Sequence, residues 1–574
     1  VKVKLAKTAG FCMGVRRAME MVLAEANKKE GPLYTFGPLI HNKQVLQLLE
    51  SKGVHSLEDL KDLPPGRIVI RAHGIPPEER KALRETGLRL IDATCPRVAR
   101  VQAIIRYHTK KGYTAVIVGD QNHAEVKGLV GYSAGPVHVT QREEEVEALP
   151  PMDRVLVVAQ TTQNAQAFDH IVDAVRRRFQ NVEVFNTICD ATHQRQKEVR
   201  AFQGQVEAVV VVGGYHSANT QRLAQISREV GLPTFHVETE KDLNREALSQ
   251  MASVGVTAGA STPNWMIKNV IQELEGIRSS KDSSIFRGIR QAFKFLILSN
   301  LLVAGGAFSF AYAASILLFR HNPDLTFPCV TFLYIFAMHV LNRFLDKGAS
   351  AYNDPERAAF LGKFKVPLIL SALVAILTAL ALAYTKGPAT FLALTGFSLL
   401  GIIYSIPLIP KRIRHKSRYA KIKDVPGSRS LSESLAWVAL IGVLPLLDMK
   451  QVSPPTALIT ILAVFLIAYI RSVLFDIFQV QGDLIVGTET LPITLGEKKA
   501  LVLLKVLLTL TALILGVSPL LGLVPSFSGA IIASVFGLSL CLFAYERHWL
   551  QQGLTLEALV EGNFFLAGFL ALVR

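Results

Sequence analysis

Glu207-Ala208-Val209-Val210-Val211-Val212-Gly213-Gly214-Tyr215-His216-Ser217-Ala218-Asn219-Thr220 joins a short, wholly apolar run to a glycine pair and a set of hydroxyl and amide side chains. A run this short and this uniformly β-branched predicts a strand buried on both faces, the habit of parallel sheets covered by helices. Three other runs in the first half have the same form: Arg67-Ile68-Val69-Ile70, Thr114-Ala115-Val116-Ile117-Val118-Gly119 and Arg154-Val155-Leu156-Val157-Val158-Ala159. Each ends at a small or polar turn, with helical patterns between them. The expectation is an α/β fold whose ligands gather beyond the carboxyl ends of the strands, where the polar motifs stand.

Cys12, Cys95 and Cys189 lie in Phe11-Cys12-Met13-Gly14-Val15, Ala93-Thr94-Cys95-Pro96 and Thr187-Ile188-Cys189-Asp190-Ala191-Thr192, at roughly equal intervals and with no CxxC pair. Only the fold can bring them together. Three thiolates leave one metal position open for a substrate, and equal intervals suggest three similar lobes that each present one thiolate. Three unrelated buried cysteines are the plainer alternative. Against it stand His41, His73 and His123, each beside a glycine or asparagine, together with Gln160-Thr161-Thr162, the Gly213–Thr220 stretch and Ala258-Gly259-Ala260-Ser261-Thr262-Pro263. Such a donor set suits a diphosphate, which accepts many charge-assisted hydrogen bonds.

Half of the 574 residues are hydrophobic, and the excess is concentrated from Phe293 onward. About nine apolar segments (294–318, 326–345, 366–385, 388–409, 433–447, 456–475, 500–522, 527–545 and 555–573) are long enough, or nearly so, to span a bilayer core of roughly 30 Å. The formal charge of +16 lies largely between them, most densely at Lys411, Arg412, Arg414, Lys416, Arg418, Lys421 and Lys423. Membrane topology explains this charge better than a nucleic-acid partner, and the positive-inside rule places the loops after even-numbered segments in the cytoplasm. The start VKVKLAKTAGFC has no apolar core of secretory length, so the first half is expected in the cytoplasm, where thiols stay reduced. The serine-rich stretch from Gly276 to Ser284 predicts a boundary between a domain at 1–280 and a membrane domain at 293–574, with 281–292 as linker. Cys329 and Cys541 sit in apolar segments and read as packing residues.

In order, the motifs FCMGV, GPLIHN, RAHG, DATCP, HAEV, QTT, GGYHSANT and AGASTP resemble the 4-hydroxy-3-methylbut-2-enyl diphosphate reductase family (IspH/LytB) across nearly all of residues 1–280. The resemblance implies a three-lobed α/β trefoil around a 4Fe-4S cluster held by Cys12, Cys95 and Cys189, with the unique iron facing the substrate. It also implies reductive dehydroxylation of 4-hydroxy-3-methylbut-2-enyl diphosphate to isopentenyl and dimethylallyl diphosphates, in the methylerythritol phosphate pathway. Matched residue by residue, His41, His73, His123, Ser217, Asn219 and Ser261 are diphosphate binders, Thr161 lies near the substrate hydroxyl and Glu125 is the proton donor. Ala218, at a substrate-binding position, stands where the family generally has a serine, and Ala124 stands where the family has a proline. A ferredoxin- or flavodoxin-like electron donor is implied, since no flavin or nicotinamide fingerprint is evident. The residues alone also admit a zinc-dependent hydrolase of a phosphorylated substrate.

In the second half, polar residues cluster at the expected cytoplasmic ends of apolar segments: Asn342-Arg343-Phe344-Leu345-Asp346, Asn353-Asp354-Pro355-Glu356-Arg357, Tyr404-Ser405-Ile406-Pro407-Leu408, and Asp476 through Asp483. Intramembrane carboxylates are functional candidates, and these could converge on Mg²⁺ and a diphosphate. The pattern resembles the UbiA family of intramembrane prenyltransferases over roughly 290–574. That resemblance implies an all-α, multi-pass domain in the inner membrane, a Mg²⁺ and prenyl diphosphate site at Asn342, Asp346, Asp476 and Asp483, and a lipophilic acceptor that captures the allylic cation. Arg343 and Ser350 stand where many members have aspartates, and Gln479 replaces a usual acid. Two expectations remain: a working transferase, or a degenerate one kept as a membrane anchor.

Overall fold

Twelve short strands lie in the first half of the computed structural model, which describes residues 1–57, 65–278, 284–320, 324–345, 349–405, 422, 425–448, 452–547, 549–550 and 553–573. They are β1 (Lys2–Leu5), β2 (Leu33–Phe36), β3 (Val54–Leu57), β4 (Arg67–Ile70), β5 (Arg89–Asp92), β6 (Thr114–Val118), β7 (Val137–Thr140), β8 (Val155–Ala159), β9 (Val182–Phe185), β10 (Ala208–Val212), β11 (Thr234–Val237) and β12 (Ser253–Ala258). They form three parallel four-stranded sheets, ordered β3-β2-β4-β5, β7-β6-β8-β9 and β11-β10-β12-β1. The order repeats three times. In the third sheet the outer place held by β5 and β9 in the others falls to β1, so Lys2 pairs with Ser253 and Leu5 with Val256. The four runs singled out in the sequence are β4, β6, β8 and β10, all internal strands. Helices cover both faces, so β8 and β10 are wholly buried, which is why they show no polar alternation.

Contacts divide the chain into two compact units, Val1–Asp282 and Ser283–Arg574. Among the described residues of the second, seven helices are long and apolar enough to cross a membrane: Leu301–Phe319, Thr326–Phe344, Lys365–Thr385, Ser428–Asp448, Pro454–Val486, Glu497–Leu520 and Leu554–Val573. Two shorter apolar helices, Pro388–Tyr404 and Ile531–Glu546, lie where the fourth and eighth segments were expected. The first expected segment is not continuous. Helix Ser284–Leu298 ends before Leu301–Phe319 begins, and Asn300 between them adopts φ +65°, a left-handed conformation that asparagine tolerates better than most residues. Pro454–Val486 is longer than expected. It opens with Ser453 capping Thr456 and prolines in its first turn, and ends at Gly487 with φ +87°. Its 33 residues measure about 50 Å, well beyond a bilayer core of roughly 30 Å. Phe310, Trp437 and Phe564 meet at the centre of this unit, with ring centroids 5.2 to 6.4 Å apart.

Candidate active sites

Each polar motif of the first unit follows a strand. His41, His73, His123, Thr161, the pair Ser217 and Asn219, and Ser261 follow the inner strands β2, β4, β6, β8, β10 and β12, whereas Cys12, Cys95 and Cys189 follow the edge strands β1, β5 and β9. The cysteines cap helices Met13–Asn27, Pro96–Thr109 and Asp190–Ala201, whose N-terminal dipoles favour negative charge on sulfur. The backbone N–H of each cysteine also donates to the next motif: Cys12 to the Ala260 carbonyl at 3.1 Å, Cys95 to Ala72 at 2.9 Å and Cys189 to Thr161 at 2.8 Å. The thiol-bearing turns are thereby tied to the turns that carry Ser261, His73 and Thr161.

The three imidazoles converge, with centroids 5.0, 5.2 and 5.8 Å apart, and Ser261 Oγ donates to the His41 carbonyl at 3.3 Å. His123 Nδ1 accepts the Glu125 N–H at 3.1 Å, which puts its proton on Nε2 in the neutral ring. Gly74 turns the chain at φ +73°, where a Cβ would stand 2.5 Å from Gln102 Nε2. Buried Glu125 accepts from Thr161 N at 2.7 Å and from Thr161 Oγ1 at 2.9 Å. Burial raises its pKa, and the two Thr161 bonds oppose the rise. Ser217 starts helix Ala218–Glu229 without a side-chain cap bond, leaving the helix N-terminus open to an anion. Asn219 Nδ2 and His73 Nδ1 are buried with no hydrogen-bond partner, donor capacity that a bound diphosphate would use.

Burial lowers the pKa of all three histidines, that of His123 to about 4 and that of His73 well below the ordinary value; Arg71 adds to the effect at each, and neighbouring histidines add to it at His73 and His123. The rings are therefore neutral at pH 7 in the free protein. A diphosphate favours their charged forms and raises their pKa, so its binding is expected to take up protons and to strengthen as pH falls from 8 toward 6. Calorimetry with inorganic diphosphate in buffers of differing ionisation heat measures this; identical apparent heats in every buffer would exclude it.

In the second unit, Asp476 and Asp483 lie two turns apart on Pro454–Val486, both buried. Ser430 Oγ donates to Asp476 at 2.5 Å and Asn353 Nδ2 to Asp483 at 3.2 Å, while Asn353 Oδ1 accepts the Gly482 N–H at 2.9 Å. Arg429 spans the site: Nε is 3.9 Å from Asp476, Nη1 is 3.8 Å from Asp483, and Nη2 donates to Gln479 Oε1 at 3.2 Å. Asn342 lies in the last turns of Thr326–Leu345. Asp346 lies outside the described residues, as do 406–421 with most of the basic run, Lys423, residues 279–283 of the boundary stretch and the side chain of Ser350.

Sequence reasoning missed a second charged group. Arg471 pairs with Glu433 at 2.5 Å and donates Nε to Glu561 at 3.0 Å, and Ser472 Oγ donates to Glu433 at 2.6 Å. Arg357, already part of the Asn353–Arg357 motif, binds both Glu557 oxygens, at 2.7 and 2.8 Å. The available signal was charge inside apolar segments. Glu561→Leu is expected to cost about 3–5 kcal/mol of stability by leaving Arg471 underpaired, read as the unfolding midpoint of the full chain in detergent. A midpoint within error of the unsubstituted protein would refute that assignment.

The first half is 44% identical over 282 residues to the 4-hydroxy-3-methylbut-2-enyl diphosphate reductase of Geotalea uraniireducens, covering 49% of this chain and 100% of that protein. The chain belongs to the LytB family. The family model described as LytB protein matches residues 3–275, and that of the UbiA prenyltransferase family matches residues 292–569. The reductase of Geobacter sulfurreducens is 44% identical over 281 residues, covering 49% of this chain and 99% of that one. Among solved structures, an (E)-4-hydroxy-3-methyl-but-2-enyl diphosphate reductase matches at 39% identity and a TM-score of 0.41, over 48% of this chain and 100% of that chain. A UbiA homologue from Archaeoglobus fulgidus bound to GPP and Mg²⁺ matches at 16% identity and a TM-score of 0.36, over 49% and 100%.

In the LytB half, Cys95 Sγ lies 2.5 Å from where a Cβ on Gly14 would stand, in the turn that carries Cys12, and both Cys12 and Cys189 act electrostatically on the Cys95 thiol. Three thiols brought together in this way, each at a helix N-terminus, have the donor chemistry of an iron–sulfur centre with one position left open.

Proposed function

We propose that residues 1–280 reduce 4-hydroxy-3-methylbut-2-enyl diphosphate to isopentenyl and dimethylallyl diphosphates at a 4Fe-4S cluster held by Cys12, Cys95 and Cys189. After the linker 281–292, residues 293–574 transfer a prenyl group from a prenyl diphosphate to a lipophilic acceptor, on the cytoplasmic side of the inner membrane. The observation that carries the first part is the tie from each cysteine N–H to a turn bearing a diphosphate or substrate residue. When bound, the cluster would supply electrons from a ferredoxin- or flavodoxin-like donor and an open iron as Lewis acid. His41, His73 and His123 become cationic around the diphosphate, while Ser217, Asn219 and Ser261 orient it. Ala218 offers no hydroxyl there, a loss of about 1 kcal/mol. Burial favours the acid form of Glu125, which in that form turns its bond with Thr161 Oγ1 round to donate and relays a proton to the departing hydroxyl, which leaves as water; the electron pair left on the allyl carbon takes a second proton to give either product.

In the membrane half, Asp476 and Asp483, with Asn342 and Asp346, would hold Mg²⁺, which when bound would neutralise the leaving diphosphate. Arg429 adds a fixed positive charge beside both described carboxylates, offsetting the acids replaced by Arg343, Ser350 and Gln479. Those same replacements are what favours the second reading, a membrane anchor. Anaerobic purification of the full chain tests the reductase assignment: iron, a brown chromophore and turnover with a chemical reductant are expected, and a colourless protein carrying one zinc would sink it.

A further inference from the structure

One arginine bridges each pair of cysteine-bearing turns. Arg17, on the helix capped by Cys12, donates to the Thr94 carbonyl beside Cys95 at 3.1 Å. Arg97, two residues after Cys95, pairs at 2.9 Å with Asp190, which follows Cys189. Arg195, on the helix capped by Cys189, closes the circuit: Nη2 donates at 2.6 Å to the Gly10 carbonyl, two residues before Cys12, and Nη1 at 3.1 Å to Ala191.

Burial separates the three. The Arg97 side chain is 45% exposed and its Asp190 partner 73%, so water screens that charge. Arg195 is only 3% exposed, its Nε has no hydrogen-bond partner, and no carboxylate lies within 4 Å of it among the described residues. Glu198, the acid in its neighbourhood, is itself bound by Thr8 N at 2.9 Å. Holding a guanidinium out of water on carbonyl oxygens alone costs several kcal/mol, and such a charge is stable where an anion faces it. Burial lowers the Arg195 pKa, and the groups that oppose this most strongly are Cys12 and Cys189, ahead of Glu198.

We propose that Arg195 sets the reduction potential of the centre held by Cys12, Cys95 and Cys189, while Arg17 and Arg97 only tie its turns together. The inference rests on the iron–sulfur reading above. A 4Fe-4S centre on three thiolates is anionic, and each electron that a ferredoxin- or flavodoxin-class donor adds makes it more so. A fixed positive charge in a low-dielectric wall favours the reduced form and raises the potential.

The test is a redox titration followed by electron paramagnetic resonance on the anaerobic, detergent-solubilised full chain, with iron and sulfide counted on the same samples. Arg195→Gln is expected to lower the midpoint by about 59 mV or more, a tenfold loss in the one-electron equilibrium. Arg195→Lys, which keeps the charge, is expected to stay near the unsubstituted value, and Arg97→Gln to leave it unmoved. A glutamine variant with full iron and an unshifted midpoint overturns the proposal, as does a lysine variant displaced tenfold. If the glutamine variant holds no cluster, the lysine variant decides alone by the same criterion. An unsubstituted chain without iron would instead remove the reductase reading itself, an outcome the metal count separates from the others.

Discussion

Glu125→Gln is expected to keep its iron and lose turnover by a factor of about 10² to 10⁴, the usual contribution of a positioned general acid. The amide preserves the shape of a side chain only 2% exposed and can still bond to Thr161 N and Oγ1, but it has no acidic proton to give. The pH profile adds a second criterion. Because burial raises the Glu125 pKa, the acid form persists to higher pH than a free carboxyl, and turnover should fall as pH rises through that raised value. The glutamine variant should lack this limb. Cys95→Ser is expected to lose iron instead, since it removes one of the three proposed ligands. Equal iron loss in both variants would make Glu125 a structural residue.

Asp476→Ala and Asp483→Ala should each reduce prenyl transfer at least a hundredfold, on the order of what one preorganised electrostatic group supplies to a transition state. Both side chains are buried at one end of a long helix. Asp483→Ala also removes one bond of the Asn353 amide and leaves the one from the Gly482 N–H. The assay uses membranes containing the full chain, Mg²⁺, labelled prenyl diphosphates of several lengths and a lipid-soluble extract as acceptor source. Labelled product indifferent to both substitutions would leave only the anchor reading.

Four of the six internal strands, β4, β6, β8 and β10, were legible because they are buried on both faces and so, apart from Arg67 and Thr114 at their starts, are apolar; β2 and β12, with Tyr34, Thr35, Ser253 and Thr257, were not singled out. The edge strands β3, β7, β9 and β11 were not singled out. His55, His138, Glu183 and His236 interrupt them, because one side of an edge strand is open to solvent and loses the apolar signature. The cysteines stood out by residue type and interval, but their arginine ties did not. Arg17, Arg97 and Arg195 stand at different distances from their cysteines, and two of the three act on backbone carbonyls, which carry no sequence signal. In the membrane half, Asp476 and Asp483 were visible as carboxylates ending an apolar run. Glu433, Arg471 and Glu561 belong to separate helices and make sense only once those helices pack. Asn300, a single polar residue between apolar runs, barely alters a hydropathy window yet divides the first segment in two.

The place of β1 in the third sheet bears on how the protein is made. Two lobes, β2 to β5 and β6 to β9, are continuous in the chain and can form as they are synthesised, with Cys95 and Cys189 already at their edges. The lobe that carries Cys12 cannot close until β12 has been translated, since Lys2 waits for Ser253 and Leu5 for Val256. Cys12, synthesised before Cys95 and Cys189, is therefore the last of the three to reach its position, a long-range closure of the slow-forming kind. On the proposed iron–sulfur reading, the three thiols are in place to receive iron only after residue 258 has left the ribosome, when the apolar helices are next in line, so cluster assembly and membrane insertion would fall in the same interval of biogenesis.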